Sequence, residues 1–198
     1  MNSAVIIETR LKSNLSEIIR KHIQFLKGWN LTIFCGNENE FILKKDFPDA
    51  TFFKIVVNSA GDYNRLMTAE DTWQRLPYNK ILIFQYDSMI LREGIEEFLE
   101  WDYVGAPWKF SPRGGNGGLS LRSRNVMLDI TRKYPWKGEN EDVYFCRHID
   151  SIGGKLAPRN VCEKFSCEVI LKDGTLGYHA VRNRYGDKEA DRLENQYK

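Results

Sequence analysis

Lys80-Ile81-Leu82-Ile83-Phe84-Gln85-Tyr86-Asp87-Ser88 constrains the fold more than any other stretch of the chain. Four consecutive apolar residues, rich in β-branched and aromatic types, read as a strand buried on both faces of a sheet. The strand runs directly into Gln-Tyr-Asp-Ser. Open α/β sheets bind ligands just beyond the carboxyl ends of their strands. An acid delivered there is placed to hold a hard cation and, through it, a phosphate. It is equally able to cap the next turn, since Asp is common at strand ends. The segment alone leaves both readings of Asp87 open.

The rest of the chain supplies the grammar of a doubly wound sheet. Residues 4–8 read as a first buried strand ending in Glu8. Apolar residues at 15, 18, 19, 22–23 and 25–26 follow helical spacing from Asn14 to Lys27, and Gly28 closes that helix. Strands are predicted over 31–35 and 51–57. A helix over 62–76, stopped by Pro77, leads back to the strand at 80–85. Buried-type strands alternating with helices in this way predict a mainly parallel sheet flanked by helices. Beyond Leu99 the pattern is less regular: strand 102–104, the glycine-rich run Gly114-Gly115-Asn116-Gly117-Gly118, a strand at 119–121, and helices over 123–133 and from about 139 to 149. The sequence predicts one α/β domain over 1–182. A polar tail, a surface helix or frayed, is predicted over 183–198.

Bulk properties exclude several classes. The chain of 198 residues carries a net charge of only +2 with charges of both signs interspersed, which argues against nucleic acid as a partner. No apolar run approaches the roughly 20 residues of a membrane span. The N-terminus lacks the layout of a signal peptide. The four cysteines form no C-x-x-C pair, and Cys35 and Cys146 lie in apolar segments as core thiols would. A reduced, cytoplasmic protein is expected.

Three further segments carry groups able to do chemistry. The glycine run lacks the Gly-Lys-Ser/Thr ending of a nucleotide P-loop and falls too late for a Rossmann fingerprint. It reads either as a flexible loop or as a place where backbone must come close to a ligand. Asn140-Glu141-Asp142 opens a predicted helix, where acids are favoured by the macrodipole and where a carboxylate is also able to serve as a general base. His179, in Leu176-Gly177-Tyr178-His179, follows a glycine turn and precedes Arg182 and Arg184. A neutral imidazole is a good ligand for manganese-type ions.

Taken in order, Gln85-Tyr86-Asp87, Gly115-Asn116-Gly117-Gly118, Asn140-Glu141-Asp142 and His179 resemble the landmarks of the GT-A glycosyltransferases: Asp-x-Asp, glycine loop, x-Glu-Asp and C-terminal His. The longer phrases Val-Gly-Ala-Pro-Trp at 104–108, Gly-Asn-Gly-Gly-Leu-Ser-Leu-Arg-Ser at 115–123 and Glu-Asp-Val-Tyr-Phe-Cys at 141–146 are similar to an uncharacterised subgroup of bacterial or viral type. The resemblance spans roughly residues 4–182 and implies a single GT-A-like, Rossmann-related domain. It also implies a hexosyl or pentosyl transferase that moves sugar from a nucleotide-sugar donor, UDP-linked, to a glycan or other hydroxyl acceptor, with inversion. Asp142 would be the catalytic base. Asp87 and His179 would hold a divalent cation, Mn²⁺ or Mg²⁺. Glu8, Arg10, Tyr63, Gln85, Asp87, Asn116, Gly117, Gly118, Glu141 and Arg182 would meet the donor. Gln85 stands where the family usually has the first Asp. Two rivals follow: an inactive nucleotide-sugar or glycan binding module of the same fold, and a sugar nucleotidyltransferase. The latter would want a glycine-rich basic loop after the first strand, and Thr9-Arg10-Leu11-Lys12 is not one.

Overall fold

A computed structural model describes residues 1–197. In chain order the elements are β1 (Asn2–Glu8), α1 (Leu15–Ile23), β2 (Asn30–Cys35), α2 (Glu40–Asp46), β3 (Thr51–Lys54), α3 (Ala60–Met67), α4 (Glu70–Arg75), β4 (Lys80–Phe84), β5 (Ser88–Ile90), β6 (Tyr103–Pro107), β7 (Gly115–Ser123), α5 (Arg124–Lys133), α6 (Glu141–His148), α7 (Arg159–Phe165), β8 (Ser166–Cys167), β9 (Gly177–His179), α8 (Val181–Tyr185) and α9 (Asp187–Glu194). A six-stranded sheet has the order β3-β2-β1-β4-β7-β6, and a second sheet of three short strands has the order β5-β9-β8. In the large sheet β1 pairs in parallel with both β2 and β4, while β7 is antiparallel to β4 and to β6.

Alternation along the central strands explains why the sheet is covered on both sides. Ala4 and Ile6 of β1, with Leu82 and Phe84 of β4, face one core that also takes Leu15 and Ile19 of α1 and Cys162 and Phe165 of α7. Val5 and Ile7, with Ile81 and Ile83, face a second core formed with Met67, Trp73, Met127 and Phe145 from α3 to α6. Ile81 to Phe84 are wholly buried. At about 1.5–3 kcal/mol per large apolar side chain removed from water, this run alone fixes β4 in the sheet centre.

The predicted mainly parallel sheet is therefore present, with the four strands of the first half side by side. Two details differ. Residues 40–46, for which no element was expected, form α2, an amphipathic single element whose Leu43 is its buried anchor. The helix over 62–76 is broken at Thr68–Ala69 into α3 and α4; the Thr68 hydroxyl donates to the Asn64 carbonyl, ending α3. The tail takes the surface-helix form of the expectation in α9, whose Ala190 and Leu193 are fully buried against Cys167, Tyr178 and Val181. Spacing of i and i+3 in an otherwise charged helix gives too narrow an apolar stripe to read from sequence. Lys198 lies outside the described residues. Among the described residues no helix is long and apolar enough to cross a membrane, and all four cysteines are free.

Leu193→Ala should lower unfolding free energy by about 2–4 kcal/mol in urea denaturation, the usual cost of emptying a buried leucine site. A merely decorative tail would give a change of about 0.5 kcal/mol or less.

Candidate active site

The chain runs outward through β1, β2 and β3, then returns through α3 and α4 to place β4 on the other side of β1. That reversal opens a crevice at the carboxyl ends of β1 and β4, the switch point where open α/β sheets bind ligands. A cleft of about 710 Å³ lies there. Its walls include Glu8 and Arg10 after β1, Tyr63 on α3, Gln85 and Asp87 after β4, Asn116, Gly117 and Gly118 on β7, Glu141 and Asp142 on α6, and His179 on β9. All expected site residues but one meet in it.

The exception is Arg182. Its guanidinium pairs with Asp187 at 2.6 Å, Asp191 at 2.8 Å and Glu194 at 3.0 Å. These contacts tie α8 to α9, and Arg182 is not part of the cleft lining. Arg184 is likewise held, by Glu168 at 2.8 Å.

Asp87 and His179, 92 positions apart in sequence, are joined by the small sheet. Ser88 of β5 pairs with His179 of β9, and Ala180 N–H donates to the Asp87 carbonyl at 2.9 Å. Ala180 then turns with φ of 53°, a left-handed conformation unusual for a residue with a Cβ. The imidazole Nε2 lies 3.1 Å from Gln85 Oε1 and 3.3 Å from Asp87 Oδ1, and Nδ1 lies 3.6 Å from Glu168 Oε1. Burial disfavours the charged ring, but the two carboxylates outweigh it and raise His179 to about 9. For Asp87 burial acts upward, and its contacts with His179 and Asn183 bring the net shift below the ordinary value.

The glycine run is not a free loop. From Gly115 onward it is the first part of β7, and the ring of His179 fills the space that a Cβ on Gly118 would need. A Cβ on Gly117 would strike the Glu141 carboxylate and the Arg122 guanidinium. The paired glycines thus admit the protein's own site residues against the sheet. Asn116 Oδ1 accepts from Gly118 N–H at 2.8 Å, which shapes the bend.

Asp142 opens α6 with only 8% of its surface exposed. Oδ2 accepts from Gly117 N–H at 3.1 Å and Oδ1 from Val143 N–H at 2.7 Å. Burial, then the neighbouring Glu141 charge, raises its carboxyl to about 6 in spite of those bonds. Glu141 lines the cleft, yet both its oxygens face the buried Arg122. Tyr63 Oη is buried with no hydrogen-bond partner among the described residues. Glu8 receives three bonds from Arg10: the backbone N–H at 2.9 Å, Nε at 2.8 Å and Nη2 at 2.6 Å.

No group of three or more His, Cys, Asp or Glu side chains suited to a metal ion occurs among the described residues. Asp87 and His179 nevertheless fit an open site: one carboxylate and one imidazole, side by side, leave most positions of a hard cation for phosphate oxygens and water.

Three residues escaped the sequence reading. Glu168 stands behind His179, Asn183 donates to Asp87 Oδ2 at 2.9 Å, and Arg122 is buried under Glu141. None left a signal: Arg122 shares the polar phase of Leu119-Ser120-Leu121-Arg122 with Ser120, a pattern that reads as a solvent-facing side of a strand.

These features define a GT-A-like α/β fold with its cleft at the sheet switch point. The chain belongs to the protein family of unknown function DUF5672, whose model matches residues 46–179, from the end of α2 through His179. No curated protein matches the sequence. Among solved structures, the apo form of mouse xyloside xylosyltransferase 1 is similar at a TM-score of 0.59 and 10% identity. The match covers 92% of this chain and 98% of that one. The bifunctional IspDF from Campylobacter jejuni is similar at a TM-score of 0.49 and 8% identity, over 77% of this chain. The matched part is 47% of IspDF, so the chain spans about half of that protein's length. At 10% identity the likeness to the xylosyltransferase is one of fold.

The raised His179 has a stability consequence with a defined sign. A basic group raised from 6.5 to about 9 in the folded state contributes stability that is fully present below 6.5 and lost as pH climbs through about 9. In chelator, the parent should lose about 2–3 kcal/mol between those limits through this group. His179→Gln should show a flatter profile in urea denaturation at pH 6 and pH 9.5. Equal slopes would mean the cluster does not hold the imidazolium.

Proposed function

We propose that the chain is a nucleotide-sugar-dependent glycosyltransferase, transferring a hexosyl or pentosyl group to a hydroxyl acceptor with inversion. The observation that carries this reading is the convergence in one cleft of two carboxylates with opposite environments. Asp87, lowered beside His179, suits a cation and a diphosphate; Asp142, raised to about 6 by burial, suits proton abstraction near neutral pH. The shared fold with a xylosyltransferase supports the same class.

In this reading Asp87 and His179 would hold Mn²⁺ or Mg²⁺, which supplies charge neutralisation on the leaving diphosphate when bound. Glu8, Arg10 and Tyr63 line the part of the cleft toward β1 and α3, where the nucleoside would lie. The unpartnered Tyr63 hydroxyl offers a hydrogen bond to the donor. Asn116 and the backbone of Gly117 and Gly118 face the donor sugar. Asp142 takes the proton of the acceptor hydroxyl as that oxygen bonds to the anomeric carbon, and the diphosphate leaves with the electron pair of the broken bond. Attack opposite the leaving group inverts the centre. A UDP sugar is the first donor to try.

Gln85 favours a second reading, a binding module of the same fold without transfer, because it brings no charge to the cation position. Asp142→Asn decides between them. With a panel of nucleotide-sugars, Mn²⁺ and glycan acceptors, the parent should release nucleoside diphosphate. The variant should be slower by about two to four orders of magnitude, with donor affinity within a few-fold. The parent's rate should rise with pH through an acidic limb near 6, because Asp142 must lose its proton to act. A parent that binds donors and releases nothing would establish the binding module instead.

Asp87→Ala should abolish the Mn²⁺-dependent part of nucleotide binding in calorimetry. Undiminished binding would leave Asp87 as a turn residue that anchors Asn183 and His179.

A further inference from the structure

Arg122 is the largest fully buried charged side chain among the described residues, and the proposed chemistry does not use it. It has no exposed surface, sits one residue before the end of β7 and is surrounded by Tyr103, Phe145 and Trp73 at 4.9, 5.6 and 6.0 Å from its guanidinium carbon to the ring centres. Burying an arginine is costly unless its donors are satisfied. Here they are directed at the site. Nε donates to Ser120 Oγ at 2.9 Å; Nη1 and Nη2 take the two oxygens of Glu141; Nη2 also reaches the Gly117 carbonyl at 3.4 Å.

The same Gly117 donates its N–H to Asp142, the residue after Glu141. The contacts therefore close a ring: Arg122 to Glu141, along the chain to Asp142, across to Gly117 N–H, and from the Gly117 carbonyl back to Arg122. A planar, bidentate fork fixes direction as well as distance. The ring leaves the first turn of α6 one orientation against β7.

We propose that Arg122 is a positioning residue for Asp142, clamping Glu141 to the sheet so that the Asp142 carboxylate is held at the cleft wall and shielded from the neighbouring charge. This rests on Asp142 being the base. It also gives Glu141 a role in the clamp in place of donor binding. The groups facing Asp142 are Glu141 and Cys146 from α6, Arg122 from β7, Tyr103 from β6 and Tyr63 from α3. Of these only Glu141 and Arg122 carry charge near neutral pH, so removing Arg122 alone leaves one uncompensated carboxylate beside another.

The test reads Asp142 directly, by carbon NMR of its side-chain carboxyl through a pH titration, beside transfer rates. Arg122→Met should raise the Asp142 midpoint by about one pH unit or more and slow transfer at pH 7 by about tenfold, with nucleotide affinity unchanged. Arg122→Met combined with Glu141→Met removes both charges and, as an apolar replacement of a buried pair, retains the fold. Its Asp142 midpoint should return to the parent's or below, while its transfer rate above that midpoint stays reduced because the clamp is gone. An unmoved midpoint in the single variant, or a double variant with the parent's plateau rate, would overturn the assignment. Should the single variant not fold, the double variant's plateau rate alone decides. If the parent transfers no sugar, the proposed function fails, and the NMR midpoints still report whether Arg122 governs Asp142.

Discussion

The parallel pairing of β1 with β4 is the constraint on which the remaining structure depends. Both strands are buried on both faces, so neither can lie at an edge, and together they occupy the centre of the sheet. Once β2 and β3 are laid down on one side of β1, the return to β4 must cross over it. The reversal leaves a gap beyond Glu8 and Gln85 that no crossover helix fills. Apolar alternation thus sets the place of the cleft before any polar residue is considered.

What makes the cleft chemically differentiated is a contrast of environments across it. Asp87 stands beside an imidazole and an amide, whereas Asp142 stands in a buried turn beside another acid. One side favours an ionised carboxylate and the other a carboxyl close to its midpoint near neutral pH. Both are held by backbone amides or side-chain amides rather than by mobile lysines, so their geometry does not depend on long flexible side chains. Pairs of titratable groups driven apart in this way are a signature of divided roles.

The legible part of this arrangement followed from period and order. Strands at 4–8, 31–35 and 80–85 were readable because their branched apolar runs are too short to cross a membrane as helices and are best buried in a sheet. The cleft residues were readable because their order along the chain carries information that no single motif does. The unreadable part has a common cause: it depends on contacts between segments far apart in sequence. Glu168 is buried and charged behind His179, but nothing in Cys167-Glu168-Val169 signals a partner. Arg182 looked available because it follows His179 closely; the three acids that capture it lie on α9, whose docking rests on two small and medium apolar residues. The glycines at 117 and 118 were readable as a close approach, but not that the approaching atoms are His179 and Glu141.

Gln85 shows how a neutral residue among the acids of the cleft is accommodated by this framework. Its backbone N–H is bonded to the Gly118 carbonyl at 2.9 Å, so its place at the end of β4 is set by the sheet and not by its side chain. The side-chain oxygen then turns to His179, which already faces the carboxylates of Asp87 and Glu168. An acid at 85 would add a third negative group around one imidazole and bind its proton more firmly, in competition with any cation at Nε2. A neutral amide keeps the hydrogen bond without that charge. Under the proposed chemistry the charge missing from the protein must come from the diphosphate. Cation and nucleotide then each strengthen the binding of the other, and by linkage the two effects are equal in size.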